Sequence, residues 1–488
     1  MLQLGIRGLG IARFKFNPIS WFLKGEPGAW YDPSDLTTLF QDSAGTTPVT
    51  AVEQPVGLML DKSKGLALGA ELKQTGVTGL VGTLAAPATY NTTTGVGSVA
   101  RVSFPAEQSY VTFTGLVPNS MYIIVFSAIT GAVNLRYGVY DSGAWNVVST
   151  AGAYYTITSP TGVITLTSST NTSATFTLAS LKQIAGNHAF QGDLTTGAAA
   201  KRPMLSARVN ILLATATLST QSVTSSATTY TLSFTGTGTV TLSGTAIGVL
   251  SAGTNTFTAT AGTLTLTVSG SVTLADLRPT NSGALLPPYQ RVTTASDYDT
   301  IGFPLYLKAN GTSSAMSTNS VDFTSTDKMT VVTGVRKVVD QSNAVLMESA
   351  LIMSSGNPGS FVIHSPLGTT ANYTLGLIGV GAASAVTLIS PLNYLAPISN
   401  VLSGLFDLGA TTPNEIKLKV NGVFTGTQTG DAGSGNFGNY PLYLFARAGT
   451  SLFLNGQFYG AIIRGAQSDT ASVTQTENYM ATKTGITF

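Results

Sequence analysis

The chain has 488 residues, 9% charged and 43% hydrophobic, with a formal net charge of +2 and no cysteine. Charge this far below the ~25% of ordinary domains, with normal apolar content, excludes intrinsic disorder, which needs low hydrophobicity and high net charge. The same numbers exclude a basic nucleic-acid handle, a disulfide framework and a Cys metal site, and the two histidines, His188 and His364, lie too far apart in sequence for a His-rich metal centre.

The first eighteen residues, MLQLGIRGLGIARFKFNP, alternate apolar residues with Gly and Arg. They have no continuous apolar run and no small-residue cleavage site, so no signal peptide is expected. The most apolar run of the chain, Tyr122–Ile129, is far shorter than the ~18 residues of a membrane helix, and no membrane insertion is expected.

Residues 1–65 are rich in aromatics: Phe14, Phe16, Trp21, Phe22, Trp30, Tyr31 and Phe40. Within GAWYDPSDLTTLFQD, Asp32 can cap a short helix, Pro33 suits its first position, and Asp35 follows three residues after the cap. Leu36, Leu39 and Phe40 would then share one face. Asp32, Asp35 and Asp42 thus have a local role, and no His or Lys stands beside them in sequence to make an acid–base site.

Residues 66–190 predict short strands. Val111 and Phe113 alternate with Thr112 and Thr114, and Leu135, Tyr137 and Val139 alternate with Asn134, Arg136 and Gly138. Period-2 alternation separated by turn residues predicts a β-sandwich, and this one is expected to be a carbohydrate-binding-like module. After a linker at 191–203, residues 204–292 show a Thr-rich version of the pattern in YTLSFTGTGTVTLSG and GTLTLTVSGSVTL. The two modules end alike, in TLASLK and TLADLR. Residues 293–488 predict a larger unit. In IKLKVNGVFTGT, Asn421-Gly422 favours a type I′ hairpin, and Asn310-Gly311 and Asn455-Gly456 are further turn signals. YPLYLFARAGTSLFLNGQFYGAIIRG predicts three strands, and DTASVTQTENYMATKTG a closing helix with Val473, Glu477 and Met480. The fold class is all-β: tandem β-sandwich (jelly-roll) modules, a short irregular N-terminal anchor and a short C-terminal helix.

Several stretches resemble, in order, structural proteins of tailed bacteriophages. GAWYDPSDLTTLFQDSAGTTPVTAVEQPVGLMLDKS is similar to an opening segment of such proteins, IAGNHAFQ with AKRPMLSAR to a linker, and PPYQRVTTASDYD to a junction before the last domain. VDFTSTDKMTVVTGVRK through GNYPLYLFARAGTSLFLNGQFYGAIIRGAQS resembles a C-terminal concanavalin-like (laminin-G-like) jelly roll. The resemblance implies a tail fibre, spike or head fibre that is commonly homotrimeric. It implies assembly in the host cytoplasm and a place on the phage particle surface. A trimer would also cover sheet edges and low-charge faces.

The expected function is therefore that of a virion structural protein that attaches to other virion proteins, of tail or capsid, by its N-terminus and binds host cell-surface polysaccharide through its sandwiches. The alternative is a capsid decoration or head fibre protein that coats or stabilises the shell, and behind it a capsule depolymerase. Trp21, Trp30, Tyr31 and Phe40 are the expected docking residues, since buried aromatics carry much of the energy of such contacts. Tyr140, Trp145 and Tyr154 in the first module, and Asn436, Phe437, Asn439 and Tyr440 in the Gly-rich loop GDAGSGNFGNY, are the expected glycan-binding residues. No catalytic residue and no cofactor are expected: Glu348 has no second acid beside it for glycoside hydrolysis. Asp322, Asp327, Asp340, Asp407 and Asp431 are too dispersed for an EF-hand, so no metal ligand is assigned. His188 reads as a linker histidine bonded to backbone.

Overall fold

The computed structural model describes residues 16–484 and 486, apart from 23–24, 51–53, 85, 104–106, 119, 138–144, 159–160, 170–171, 192–197, 207–209, 226, 281–288, 290, 293–304, 369–370 and 397. It is all-β, with sheets packed as sandwiches and a closing helix at Thr470–Thr484.

The largest body pairs an eight-stranded and a nine-stranded sheet around one core. The eight-stranded sheet is centred on Lys328–Lys337, with Asn455–Arg464 on one side and Ile398–Asp407 on the other. The nine-stranded sheet runs through Met316–Asp322, Asn439–Leu444, Val345–Ser349, Ser360–His364 and Thr374–Ile378 to an edge at Val386–Ile389. The hairpin predicted at Asn421-Gly422 is present: Ile416–Val420 pairs with Val423–Thr425, and both turn residues have positive φ (49° and 77°). Asn455-Gly456 opens the strand Asn455–Arg464 instead of turning a hairpin, and the region read as three strands forms two, Asn439–Leu444 and Asn455–Arg464.

The opening segment belongs to this body and not to a separate anchor. Gly28–Tyr31 pairs antiparallel with Ala461–Arg464, continuing the edge along which Tyr306–Asn310 pairs with Asn455–Phe458. Leu39–Phe40 and Leu58–Met59 extend the other sheet. Tyr31, Leu39, Val56 and Met59 are all core residues. The expected helix after Pro33 is one 3-10 turn, Leu36–Thr38, capped by Asp35. Leu39 is extended because it must pair with Met59.

The two Thr-rich modules are insertions into hairpins of this sandwich. Leu58–Met59 pairs with Ala189–Phe190, and the ten-stranded first module lies between them in sequence. Met204–Ser206 pairs with Tyr306–Lys308, and the five-stranded second module lies between those. Each module has its own core, around Phe113, Phe126 and Phe176 in the first and Leu232, Leu242 and Leu266 in the second. The strands containing TLASLK, Ser173–Gln183, and TLADLR, Thr273–Pro279, are each the last of their module.

The helix Thr470–Thr484 packs on the outer face of the eight-stranded sheet. Met480 and Ala481 cover Val332 and Val401. Glu477 is 1% exposed and pairs with buried Lys419 at 2.7 Å, and it accepts the Ser403 hydroxyl at 2.7 Å.

Candidate functional site

Two concave regions stand out. The larger is a mouth of about 970 Å³ at one end of the sandwich, walled by loops carrying Asp327, Val380–Ala383, Leu408–Thr412, Asp431 and Gly433–Asn436. The loops are held by a buried acid the sequence reading passed over. Glu415, 1% exposed, accepts from the Thr412 hydroxyl (3.0 Å), the Gln428 amide (2.6 Å) and the Ala432 N–H (3.1 Å). Val380 and Ser434 exchange both backbone hydrogen bonds, at 2.8 and 3.1 Å. A Cβ at Gly379 would lie 2.8 Å from the Ser434 nitrogen, and Gly433 (φ +88°) would set one 2.7 Å from the Val380 oxygen, so these glycines permit the close approach of the two loops. Asn436 is tied by its side-chain amide to the Thr324 carbonyl at 2.7 Å. Asp431 caps the turn at Gly433 (2.8 Å) and is exposed.

The second region is a cleft of about 390 Å³ where the first module meets the sandwich. It is lined by Val117, Pro118, Ser120 and Met121 of the module, Gly186–His188 of its exit, and Asn319, Ser320, Asp322 and Asn439 of the sandwich. Beneath it lies a clasp. The Asp61 carboxylate is fully buried and accepts from the N–H groups of Trp30, Ser63 and Asn187 and from the Ser63 hydroxyl, at 2.7–2.8 Å. The Asp61 N–H donates to Nδ1 of His188 at 2.9 Å, which places the ring proton on Nε2, facing the Ile184 carbonyl. Burial lowers the His188 pKa, opposed by the Asp61 charge. The expectation of a backbone-bonded linker histidine thus matches its geometry. The Tyr31 hydroxyl donates to the Asn187 carbonyl at 2.5 Å and completes the clasp.

The residues expected to dock the chain on a particle are spent inside it. Trp30 and Tyr31 are 6% and 1% exposed. Phe40 packs on Tyr155 of the first module, with ring centroids 5.2 Å apart. Trp21, half-buried, lies under the Arg464 guanidinium at 4.3 Å, and Arg464 is itself paired with Glu26. The carboxylates of the same stretch do have distant cationic partners. Burial favours the neutral form of Asp32, but the Lys483 and Lys62 ammonium groups hold its carboxyl down at about 2.

Of the expected glycan-binding residues, Asn436 opens into the mouth and Asn439 into the cleft. Tyr154 (5% exposed) and Phe437 (2%) are core residues and offer no ring face to a sugar. Tyr440 is half-buried with its hydroxyl on the Pro358 carbonyl (3.0 Å). Tyr140 and the side chain of Trp145 lie outside the described residues. Glu348 is fully buried and held by Arg447 at 2.9 Å. Among the described residues no three His, Cys, Asp or Glu side chains converge to hold a metal.

No family model matches the chain, and no curated protein matches it. Solved structures similar to part of it include the CBM40 of Ruminococcus gnavus IT-sialidase bound to α2,3-sialyllactose, at 16% identity over 30% of this chain and 82% of that one (TM-score 0.25). Others are the botulinum neurotoxin type G receptor-binding domain, at 11% over 36% and 42% (TM-score 0.27), and a heptameric SAP-like pentraxin from Limulus polyphemus, at 12% over 35% and 80% (TM-score 0.26).

Proposed function

We propose that the chain is a non-catalytic virion surface protein of the fibre or spike type that binds a neutral polysaccharide of a host surface. The observation that supports this best is the loop mouth. Its volume of about 970 Å³ lies at the upper end for small-ligand sites and suits several sugar units. Thr411, Thr412, Ser434 and Asn436 line it together with backbone groups of glycine-rich loops, which is a dense set of short donors and acceptors for hydroxyls. Asp431, exposed and without a cationic partner among the described residues, adds a carboxylate acceptor and repels anionic sugars, whereas Asp327 is paired with Lys328 at 3.2 Å. The acid that could have suggested hydrolysis, Glu348, is committed to Arg447.

The test is competition for adsorption. Host cells preincubated with the purified protein should lose phage attachment in a saturable way, and Asp431→Ala with Asn436→Ala should abolish the blocking. Blocking unchanged in that double variant, or none with folded wild-type protein, would overturn the reading.

A further inference from the structure

We propose that the cleft between the first module and the sandwich is a second saccharide site, built for one neutral pyranose unit. This rests on the reading of the chain as a polysaccharide binder and adds a place and a chemical class to it.

The cleft has two unlike walls. Val117, 49% exposed, and Pro118 form an apolar one. Asn319, Ser320, Asp322 and Asn439 form a polar one. A pyranose ring is amphipathic in the same sense, with C–H groups on its faces and hydroxyls at its rim. The polar wall has open hydrogen-bonding capacity. Asp322 Oδ1 accepts from the Thr324 N–H (2.9 Å) and hydroxyl (2.6 Å), while Oδ2 has no partner among the described residues. The side-chain amides of Asn319 and Asn439 likewise have none among the described residues, and each offers donors and an acceptor. The Thr324 hydroxyl and amide hold the Asp322 carboxyl below its usual range, so it stays an anion able to accept two neighbouring hydroxyls.

The wall is aimed by the sheet. Asp322 and Asn439 are direct cross-strand partners. Between Ser317 and Ser320 the register shifts, with the Thr318 hydroxyl used by the Leu442 N–H (2.9 Å), and this irregularity falls at Asn319. Bulges that re-aim a side chain are common beside binding sites. The Asp61 clasp beneath fixes the module exit, Gly186–His188, against the sandwich. The volume of about 390 Å³ admits one sugar unit and not a chain. Among the described residues no Lys or Arg lines the cleft, so uronic and sialic acids face an uncompensated carboxylate and are rejected.

Met121 lines the same cleft, and its methyl group is a reporter. The full chain, labelled with 13C-methyl methionine and assigned through Met121→Leu, is titrated with the methyl glycosides of glucose, galactose, mannose and N-acetylglucosamine, and with glucuronate. At least one neutral glycoside should shift the Met121 signal saturably. Glucuronate should not. Asp322→Ala or Asn439→Ala, both at exposed positions, should weaken the effect at least fivefold. Asp431→Ala with Asn436→Ala should leave it intact. A Met121 signal unmoved by every neutral glycoside, or moved equally in Asp322→Ala, overturns the site. Saturation transfer from the same sugars that depends on Asp431 and Asn436 would then show that only the cleft has failed and that the mouth stands. No saccharide response at either place overturns both.

Discussion

Asp61→Ala should loosen the attachment of the first module more than any other single polar change. The side chain is fully buried and accepts four hydrogen bonds. Two of the donors, the backbone N–H groups of Trp30 and Asn187, come from distant segments. A hydrogen bond to a charged group contributes about 1.5–3 kcal/mol, and a buried N–H left unpaired costs about 1–3 kcal/mol. Counting only the two long-range bonds gives about 3–6 kcal/mol, and relief from desolvating the carboxylate brings this to roughly 3–5 kcal/mol. Asp61→Asn keeps the shape but sets an NH2 group against one of the donors, and should cost about half as much. Asp42→Ala is the control. Its carboxylate also accepts from two backbone N–H groups, those of Thr46 and Thr47, but in water, so the loss should stay near ~1 kcal/mol. The assay is urea unfolding with hydrogen exchange on peptides containing Trp30 and Asn187, because a chain with three cores need not unfold in one step. If Asp61→Ala stays within ~1 kcal/mol of wild type and both amides remain protected, these bonds do not hold the module.

Three further outcomes follow from the same structure. Glu477→Ala strands Lys419 as a buried cation, at a cost of about 3–5 kcal/mol; trypsin should cut at Lys483 faster, and Lys419→Met with Glu477→Met should restore resistance. Burial, with the Arg447 charge, lowers His364 to about 4, whereas its unfolded pKa is about 6.5. The unfolded chain therefore binds more protons in that window, and stability should fall by roughly 3 kcal/mol as pH drops from about 6.5 to about 4. His188 acts in the same direction; urea midpoints should show the slope, and His364→Gln should flatten it. Replacing residues 207–304 by a short turn, which keeps the core residue Leu305, should delete one calorimetric transition and leave the sandwich folded, since Ser206 and Tyr306 are already strand partners; loss of the sandwich transition would refute the insertion topology as an independent unit.

Local periodicity carried the strands and one hairpin into view. Val111 and Phe113 point into the core as their alternation predicts, and Asn421-Gly422 turns as its residue types require. What failed was everything that depends on distant pairing. Trp30 and Tyr31 read as a docking patch because aromatics crowd a short stretch; their partner strand, Ala461–Arg464, lies at the other end of the sequence. Asp32 looked solitary for the same reason, although Lys483 comes to it. Phe437 sits among glycines and so reads as exposed, yet its N–H bonds to Thr326 and its ring is buried. In the mouth, Asn436 and Asp431 were visible as loop residues, whereas Glu415 was not, because a buried acid that anchors loops has no spacing rule of its own.

The insertion topology also changes how the modules can act. A stalk module must lie in series between two attachment points. Here each module enters and leaves at one hairpin, between Met59 and Ala189 or between Ser206 and Tyr306. Tension between the opening strand and the rest of the sandwich passes through the pairing of Gly28–Tyr31 with Ala461–Arg464 and not through either module. Neither module is then a mechanical spacer, and the sandwich is a scaffold that displays two side modules. Hairpin tips tolerate such insertions because the strands on both sides already meet. A displayed module keeps a fixed pose only if its neck is fixed, and the first module has the Asp61–His188 clasp and the Phe40–Tyr155 contact for that purpose. A cleft with one wall on the module and the other on the scaffold keeps its shape only under that condition, which ties the proposed sugar site to the clasp: Asp61→Ala should weaken the Met121 response even though Asp61 does not line the cleft.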